Sequence, residues 1–392
     1  MPSDYSPACQ TFSSQRSALT ETINALSIEL SDTITHPDET KLNELKKRLA
    51  NLQLEFATFE AEWVDQHLQL FATFLKLENP ALTQNEIQSL TFKLRYDKDR
   101  HHFYLGGIIN GAGYGIKHLP HIIKEIRGQF VVHPEMTSLN EVEECTFINL
   151  EHHTNNLEAP KLRKVSEIVD NKSPSQPHTT NKLRTLSFPA LTEADKIHLN
   201  DNFVLNVPVL KRLDHPLLYT SQPLHFPELI EMTYAAFGAP EVHLPKCVII
   251  KDQLSLGHYG SVTISVFNAP ELRESGVINA VEIKSLYLPE LVHITGGLMI
   301  GEIDDFNLPK LETIEDTLNF QYFKNYRFRF SDRLRQKHTE VIIKTFFEKL
   351  PSLKAVSGKH GVCVKAPNKE VMVKLKEEFD KRGISYQGKF ES

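Results

Sequence analysis

The chain has 392 residues, 40% hydrophobic and 24% charged, with a net charge of −6. These values place it among ordinary soluble proteins with length for two or three domains. They come with no apolar run of 18 residues, which excludes a membrane-spanning helix of the usual kind, and the opening Met1-Pro2-Ser3-Asp4-Tyr5-Ser6 lacks the charged and apolar regions of a classical export signal.

Residues 12–95 are helical in pattern, with Pro2, Pro7, Pro37 and Pro80 confined to edges. Leu19, Ile23, Leu26 and Leu30 form one stripe, and Leu42, Leu45, Leu49, Leu52, Phe56, Phe59 and Trp63 keep a 3-4 spacing. Two antiparallel helices follow. Pro37 falls in the turn between them, with Asp38 and Glu39 in the first turn of the second helix, where negative charge suits the dipole. A third helix is predicted near Asn85 to Tyr96, leading into the next domain and covering its open end.

A glycine cluster comes next: Gly106, Gly107, Gly111, Gly113 and Gly115. It contains G-x-G-x-G but lacks a flanking βαβ unit and a following Lys-Ser/Thr, so the expected role is a hinge or bulged strand. An enzyme with a nucleotide site at Gly106–Gly115 is the third-ranked alternative.

From here a proline followed two residues later by an apolar residue recurs. Pro160, Pro189, Pro208, Pro227, Pro245, Pro270, Pro289 and Pro309 are separated by 29, 19, 19, 18, 25, 19 and 20 residues. A period of this size signals a solenoid, because a unit so small cannot bury its own apolar face and must stack on its neighbours. The clearest copies, Leu288-Pro289-Glu290-Leu291 and Leu308-Pro309-Lys310-Leu311, place apolar residues at −1, +2, +5, +9 and +11 from the proline, the last two alternating as an inward-facing strand does. Glycines such as Gly296-Gly297 are expected to form a tight bend before +9. An earlier turn is read with Thr137 in the proline slot, from Leu139, Val142 and Ile148. Proline suits a corner between short strands and damages a central one.

After Phe320 the period changes. Tyr326–Phe330 alternates like a strand, Ser331–Leu350 reads as an amphipathic helix, and Leu350-Pro351-Ser352-Leu353 repeats the corner. Val362–Val364 reads as strand, Lys369–Lys381 as helix ending at Gly383, and Ile384–Phe390 as a final strand. The predicted fold is α+β: an N-terminal helical hairpin (1–100), a parallel β-solenoid (101–322) and a C-terminal α/β cap (323–392).

The stretches LYLPELVHITGGLMI and FNLPKLETIEDTLNF resemble bacterial leucine-rich-repeat-like units, akin to those of receptor L-domain and surface-antigen-type repeats. The resemblance spans roughly residues 118–322. It implies a binding scaffold without a fixed partner, and a bacterial effector acting on host proteins is among the contexts it suggests. The chain lacks the asparagine of ordinary leucine-rich repeats, which favours a flatter β-solenoid over a horseshoe.

The expected function is therefore non-enzymatic protein–protein interaction along a solenoid face, with no cofactor and no metal. If +9 and +11 point inward, +10 points out, placing Leu218, Phe237, Ser255, Met299 and Asn319 on an exposed ribbon suited to a protein partner. The alternative partner is nucleic acid or anionic lipid at the basic C-terminal region. Lys324 to Lys389 hold 17 Lys and Arg against 7 Asp and Glu, a net of +10 that leaves −16 for the rest. Lys324, Arg327, Arg329, Arg333 and Arg335, interleaved with Tyr326 and Phe328, are the anion-binding candidates. The pairs His101-His102 and His152-His153, with His118 and His121, are read as surface residues, and Gly301–Asp305 as a solvated turn. Cys9, Cys145, Cys247 and Cys363 are far apart, which argues for reduced thiols in a cytoplasmic setting, or in a host cell reached without a classical signal.

Overall fold

The computed structural model describes residues 5–35, 39–100, 102–150, 156–170, 183–200, 202–257, 263–320, 343–344 and 346–392. The chain divides into two compact units, Met1–Tyr104 with Pro120–Ile122, and Leu105–Leu119 with Ile123–Ser392.

In the first unit, α1 (Tyr5–Thr35) and α2 (Glu39–Glu78) pack as a pair. Their 3-4 stripes form the seam, with Leu26 and Leu45 buried and the other seam residues half-buried. Pro37 and Asp38 lie outside the described residues. Helix α3 (Gln84–Thr91) starts with a capping box: the Glu86 amide donates to Thr83 Oγ1 (3.3 Å), and the Thr83 amide donates to Glu86 Oε2 (2.8 Å). It ends five residues before the predicted boundary near Tyr96. Leu94–Asp97 form a strand instead, because Leu94 is buried in a short apolar–polar alternation that pairs with the strand beginning at His102. Trp63, His67, Tyr96 and Phe103 form an aromatic cluster, with Trp63 centred 4.2 Å from His67 and 4.9 Å from Phe103. The Tyr96 hydroxyl is bonded to the Glu60 carboxylate. Burial, reinforced by that carboxylate, pushes the phenol well above its ordinary range.

The second unit is a parallel β-solenoid. The prolines sit at the second position of β-turns closed by a recurring amide bond: Leu210 to Val207 (3.2 Å), Cys247 to Leu244 (3.2 Å), Leu291 to Leu288 (3.3 Å) and Leu311 to Leu308 (3.3 Å). Proline's fixed φ is preset for that position, where no donor is needed. The −1 and +2 residues flank the turn and face inward, so Leu210, Cys247, Leu291 and Leu311 are all fully buried. A further such turn runs from Leu139 to Val142, which puts Asn140 in the proline slot and not Thr137. Asparagine starts turns too, so this copy keeps the geometry without the marker.

Strands of successive coils pair in parallel in one sheet. An inward row runs Phe130, Ile148, Ile168, Ile197 and Pro216, and continues Ala235, Leu254, Ile278, Leu298, Leu318, Val364. A second layer of strands supplies the facing row Leu224, Val242, Phe267, Leu286, Phe306. The two rows enclose one continuous core.

All repeat coils share an inward +5 residue, but beyond it they divide. In the Pro245, Pro289 and Pro309 coils three residues precede the next inward position, giving +9 and +11: Leu254/Leu256, Leu298/Ile300, Leu318/Phe320. In the Pro160, Pro189, Pro208, Pro227 and Pro270 coils only two intervene, giving +8 and +10. The ladder shifts register where the two kinds meet, between Met232 and Tyr234 and between Ile250 and Gln253. Gly296 lies at the extra residue of the Pro289 coil, where an added Cβ would sit 2.7 Å from Val277 Cγ2. Close approach to the preceding coil, not a tight bend, is its reason.

One inward slot of the Pro160 coil is charged. Asp170 is fully buried and ion-paired to Arg184, itself only 2% exposed, which enters the core from the opposite layer. The pair joins the two ends of residues 171–182, linking the layers where hydrophobic contact would otherwise do so.

The C-terminal part continues the same sheet. Ala355–Lys365 pairs with Thr313-Ile314 and Leu318-Asn319, after a corner at Leu350–Leu353. Helix α4 (Lys369–Arg382) is capped by Asn368, whose side chain accepts from the Val371 amide (3.0 Å), and ends at Gly383. Strand Ser385–Glu391 follows, parallel to Ala355–Lys365. The predicted strand Tyr326–Phe330 and helix residues 331–342 and 345 lie outside the described residues. Gly301–Asp305, read as a turn, falls inside the strand Leu298–Asn307, since two full rungs of pairing extend past it.

Candidate interaction surface

The ribbon expected at +10 does not exist as one face. Leu218 and Phe237 belong to short coils, where +10 points inward, and both are buried in the core row with Leu199 and Leu256. A single-residue difference moves a side chain to the other face. Ser255, Met299 and Asn319 come from long coils and do lie in an outward row, together with His198, Leu217, Ala236 and Asn279. Of the three, Ser255 is buried and Met299 and Asn319 are half-exposed.

This outward row and its neighbour define the face. The neighbouring row runs Glu167, Lys196, His215, then Tyr234, Gln253 and Val277, with the His215 and Tyr234 rings stacked at 6.5 Å. Leu217, Tyr234, Val277 and Met299 are half-exposed apolar side chains. Between Leu217 and Met299 the row carries only Ala236, Ser255 and Asn279, all buried. At about 4.8 Å per coil these three short side chains form a low stretch of the row, a trough between larger side chains at each end, whose floor is almost wholly shielded, with Ala236 1%, Ser255 2% and Asn279 5% exposed. Tyr219 closes one margin and lies so near Gly238 that a Cβ there would sit 2.5 Å from its ring. Leu217 does not stand out from the sequence, because the longer spacing expected for the Pro208 coil puts it inside.

Elsewhere the outward surface is zipped by ion pairs between successive coils. Lys164–Glu193 (3.5 Å), Arg212–Glu231 (3.9 Å), Glu228–Lys246 (2.7 Å), Glu290–Lys310 (2.6 Å) and Glu312–Lys354 (2.7 Å) all join residues one coil apart. Each is exposed and worth about 0–1 kcal/mol. Among the described residues no such rung crosses the floor of Ala236, Ser255 and Asn279.

The arrangement nearest to catalytic geometry is Thr313, His293 and Glu315. Thr313 Oγ1 is bonded to His293 Nδ1, and His293 Nε2 lies 2.8 Å from Glu315, which Lys359 also holds; that lysine, with His293 behind it, draws the carboxyl below its ordinary range. Yet the amides of His293, Thr313 and Glu315 donate to Arg273, Val292 and Ile294 in the ladder. None is aimed where an oxyanion would form, so the trio is a cross-coil rung.

At the glycine cluster, the Gly113 amide donates to Asn110 Oδ1 (2.8 Å), Tyr114 to the Asn110 carbonyl (2.9 Å) and Ile116 to the Gly111 carbonyl (2.8 Å). No helix follows. Amides turned into their own loop cannot cradle a phosphate, so the nucleotide alternative is set aside. Among the described residues no three His, Cys, Asp or Glu side chains converge to hold a metal. Cys145, Cys247 and Cys363 are free and buried, and burial pushes the first two thiols up to about 12. Lys324, Arg327, Arg329, Arg333 and Arg335 lie outside the described residues. Among those described, no helix is long and apolar enough to cross a membrane.

No protein-family model matches the chain, and neither the curated proteins nor the solved structures yield a significant match. What the fold defines is the class: an N-terminal helical unit joined in sequence to a parallel β-solenoid.

Proposed function

We propose that the protein is a non-enzymatic scaffold that holds a protein partner in the trough on the outer face of its large sheet. The observation that supports this reading is the run of half-exposed Leu217, Tyr234, Val277 and Met299 around a floor of small residues, on a face otherwise zipped by ion pairs. The likeness of the repeats to bacterial leucine-rich-repeat-like units supports a scaffold, and with it the reading of an effector that acts on host proteins. That context rests on class resemblance.

Joint substitution of Leu217→Glu and Met299→Glu tests the face. Both side chains are half-exposed, so circular dichroism and melting should stay close to the parent. Proximity labelling with the intact chain should then lose a defined set of neighbours that the parent labels. An identical set from parent and variant would remove the trough from consideration.

A further inference from the structure

The terminal strand Ser385–Glu391 has one neighbour among the described residues, Ala355–Lys365. The Ser385 amide donates to the Lys354 carbonyl (2.8 Å), and the Glu391 carbonyl accepts from Ala366 (2.8 Å). Residues 385 and 391 thus turn their backbone groups toward the sheet. By the alternation of a strand, Tyr386, Gly388 and Phe390 turn theirs away, toward the open edge. Ser385, Gln387, Gly388 and Lys389 are exposed. Native edges are usually blunted by proline, by several charges or by a covering element. This strand has no proline, and its two charges are already paired with each other, Lys389 to Glu391 at 2.7 Å.

We propose that a second copy of this chain completes the edge, its own Ser385–Glu391 strand pairing antiparallel about a two-fold axis at Gly388. The sequence is self-complementary about that point. Tyr386 falls opposite Phe390 of the second copy, Gln387 opposite Lys389, and Ser385 opposite Glu391, so no like charges are directly opposed. Directly opposed residues share a face. Tyr386 and Phe390 already pack edge-on at 5.1 Å, and both lie against Phe379 of α4, at 6.0 and 5.3 Å. The pairing would join two such clusters into one. Gly388, at φ 111°, lacks a side chain because an added Cβ would sit 3.2 Å from the Cys363 amide and 3.3 Å from the Gly361 carbonyl of the neighbouring strand, and it adds no bulk at the axis. The outward groups of Tyr386, Gly388 and Phe390 then form the bonded pairs of the new ladder.

An interface of one short strand and a few rings is small, so the dimer should be in exchange with monomer, with a dissociation constant in about the micromolar range. Sedimentation equilibrium of the full chain reads this directly. Position 387 gives tests of opposite sign on an exposed side chain that the monomer fold does not use. Gln387→Lys sets like charges against Lys389 twice and should weaken dimerisation about tenfold or more, while Gln387→Glu creates two opposite-charge contacts and should strengthen it. Melting temperatures should not move. A chain that stays monomeric far above micromolar concentration overturns the proposal, even if it captures an extended peptide of another protein. A dimer indifferent to both substitutions overturns it as well.

Discussion

Replacing Asp170 by alanine isolates the cost of the charged pair inside the solenoid. Arg184 is 2% exposed, and Asp170 is fully enclosed in a row that is otherwise Leu150, Leu199 and Leu218. Removing the carboxylate breaks this buried ion pair, a change that costs about 3–5 kcal/mol. In a stack of coils that contact only their neighbours, the loss should be local. Amide hydrogen exchange is therefore the assay of choice. At about 1.4 kcal/mol per decade, exchange at Leu186, Leu199 and Phe203 should quicken by roughly two to three and a half decades, while Leu298 and Leu318 keep their protection. The double variant Asp170→Leu with Arg184→Met removes both charges and should recover most of the loss, or exceed the parent by about 1–4 kcal/mol. Two results would refute the reasoning: exchange in Asp170→Ala within tenfold of the parent, or a double variant no better than the single.

Three further outcomes follow from buried groups. Ser275 is the polar member of the +5 row, fully buried between Ile250 and Ile294 with no partner for its hydroxyl, so Ser275→Ala should stabilise its coil by about 1 kcal/mol; urea unfolding that shows a loss would contradict this. Burial holds His67 below its ordinary value, so the unfolded chain takes up the proton first. Stability of the helical unit should be complete above about pH 6.5 and fall as pH drops below it, and the slope, followed by Trp63 fluorescence, should flatten in His67→Phe. Cys145 and Cys247 should resist alkylation at pH 8 in the folded chain and react on denaturation, as mass spectrometry would register.

The turns were legible because proline carries its geometry in its ring: Pro208, Pro245, Pro289 and Pro309 each mark a corner, and the apolar +2 residue is always inside. Helix α4 was equally plain, from Asn368 at one end and Gly383 at the other. What could not be read was the number of residues between +5 and the next inward position. Ser166-Glu167 and Lys251-Asp252-Gln253 are polar runs of different length, and nothing in their composition says that one holds an extra residue. That single residue decides whether Leu218 faces the core or a partner. Asp170 was invisible for another reason, since its countercharge arrives from Arg184 in the other layer and no local pattern links them.

The alternating signs at the fourth position of four successive coils, Lys164, Glu193, Arg212 and Glu231, impose a parity rule on that stretch. Excising the Pro208 coil would press Glu193 against Glu231, whereas excising the Pro189 and Pro208 coils together would restore Lys164 beside Glu231. In that stretch, shortening by evolution or by design should proceed in twos.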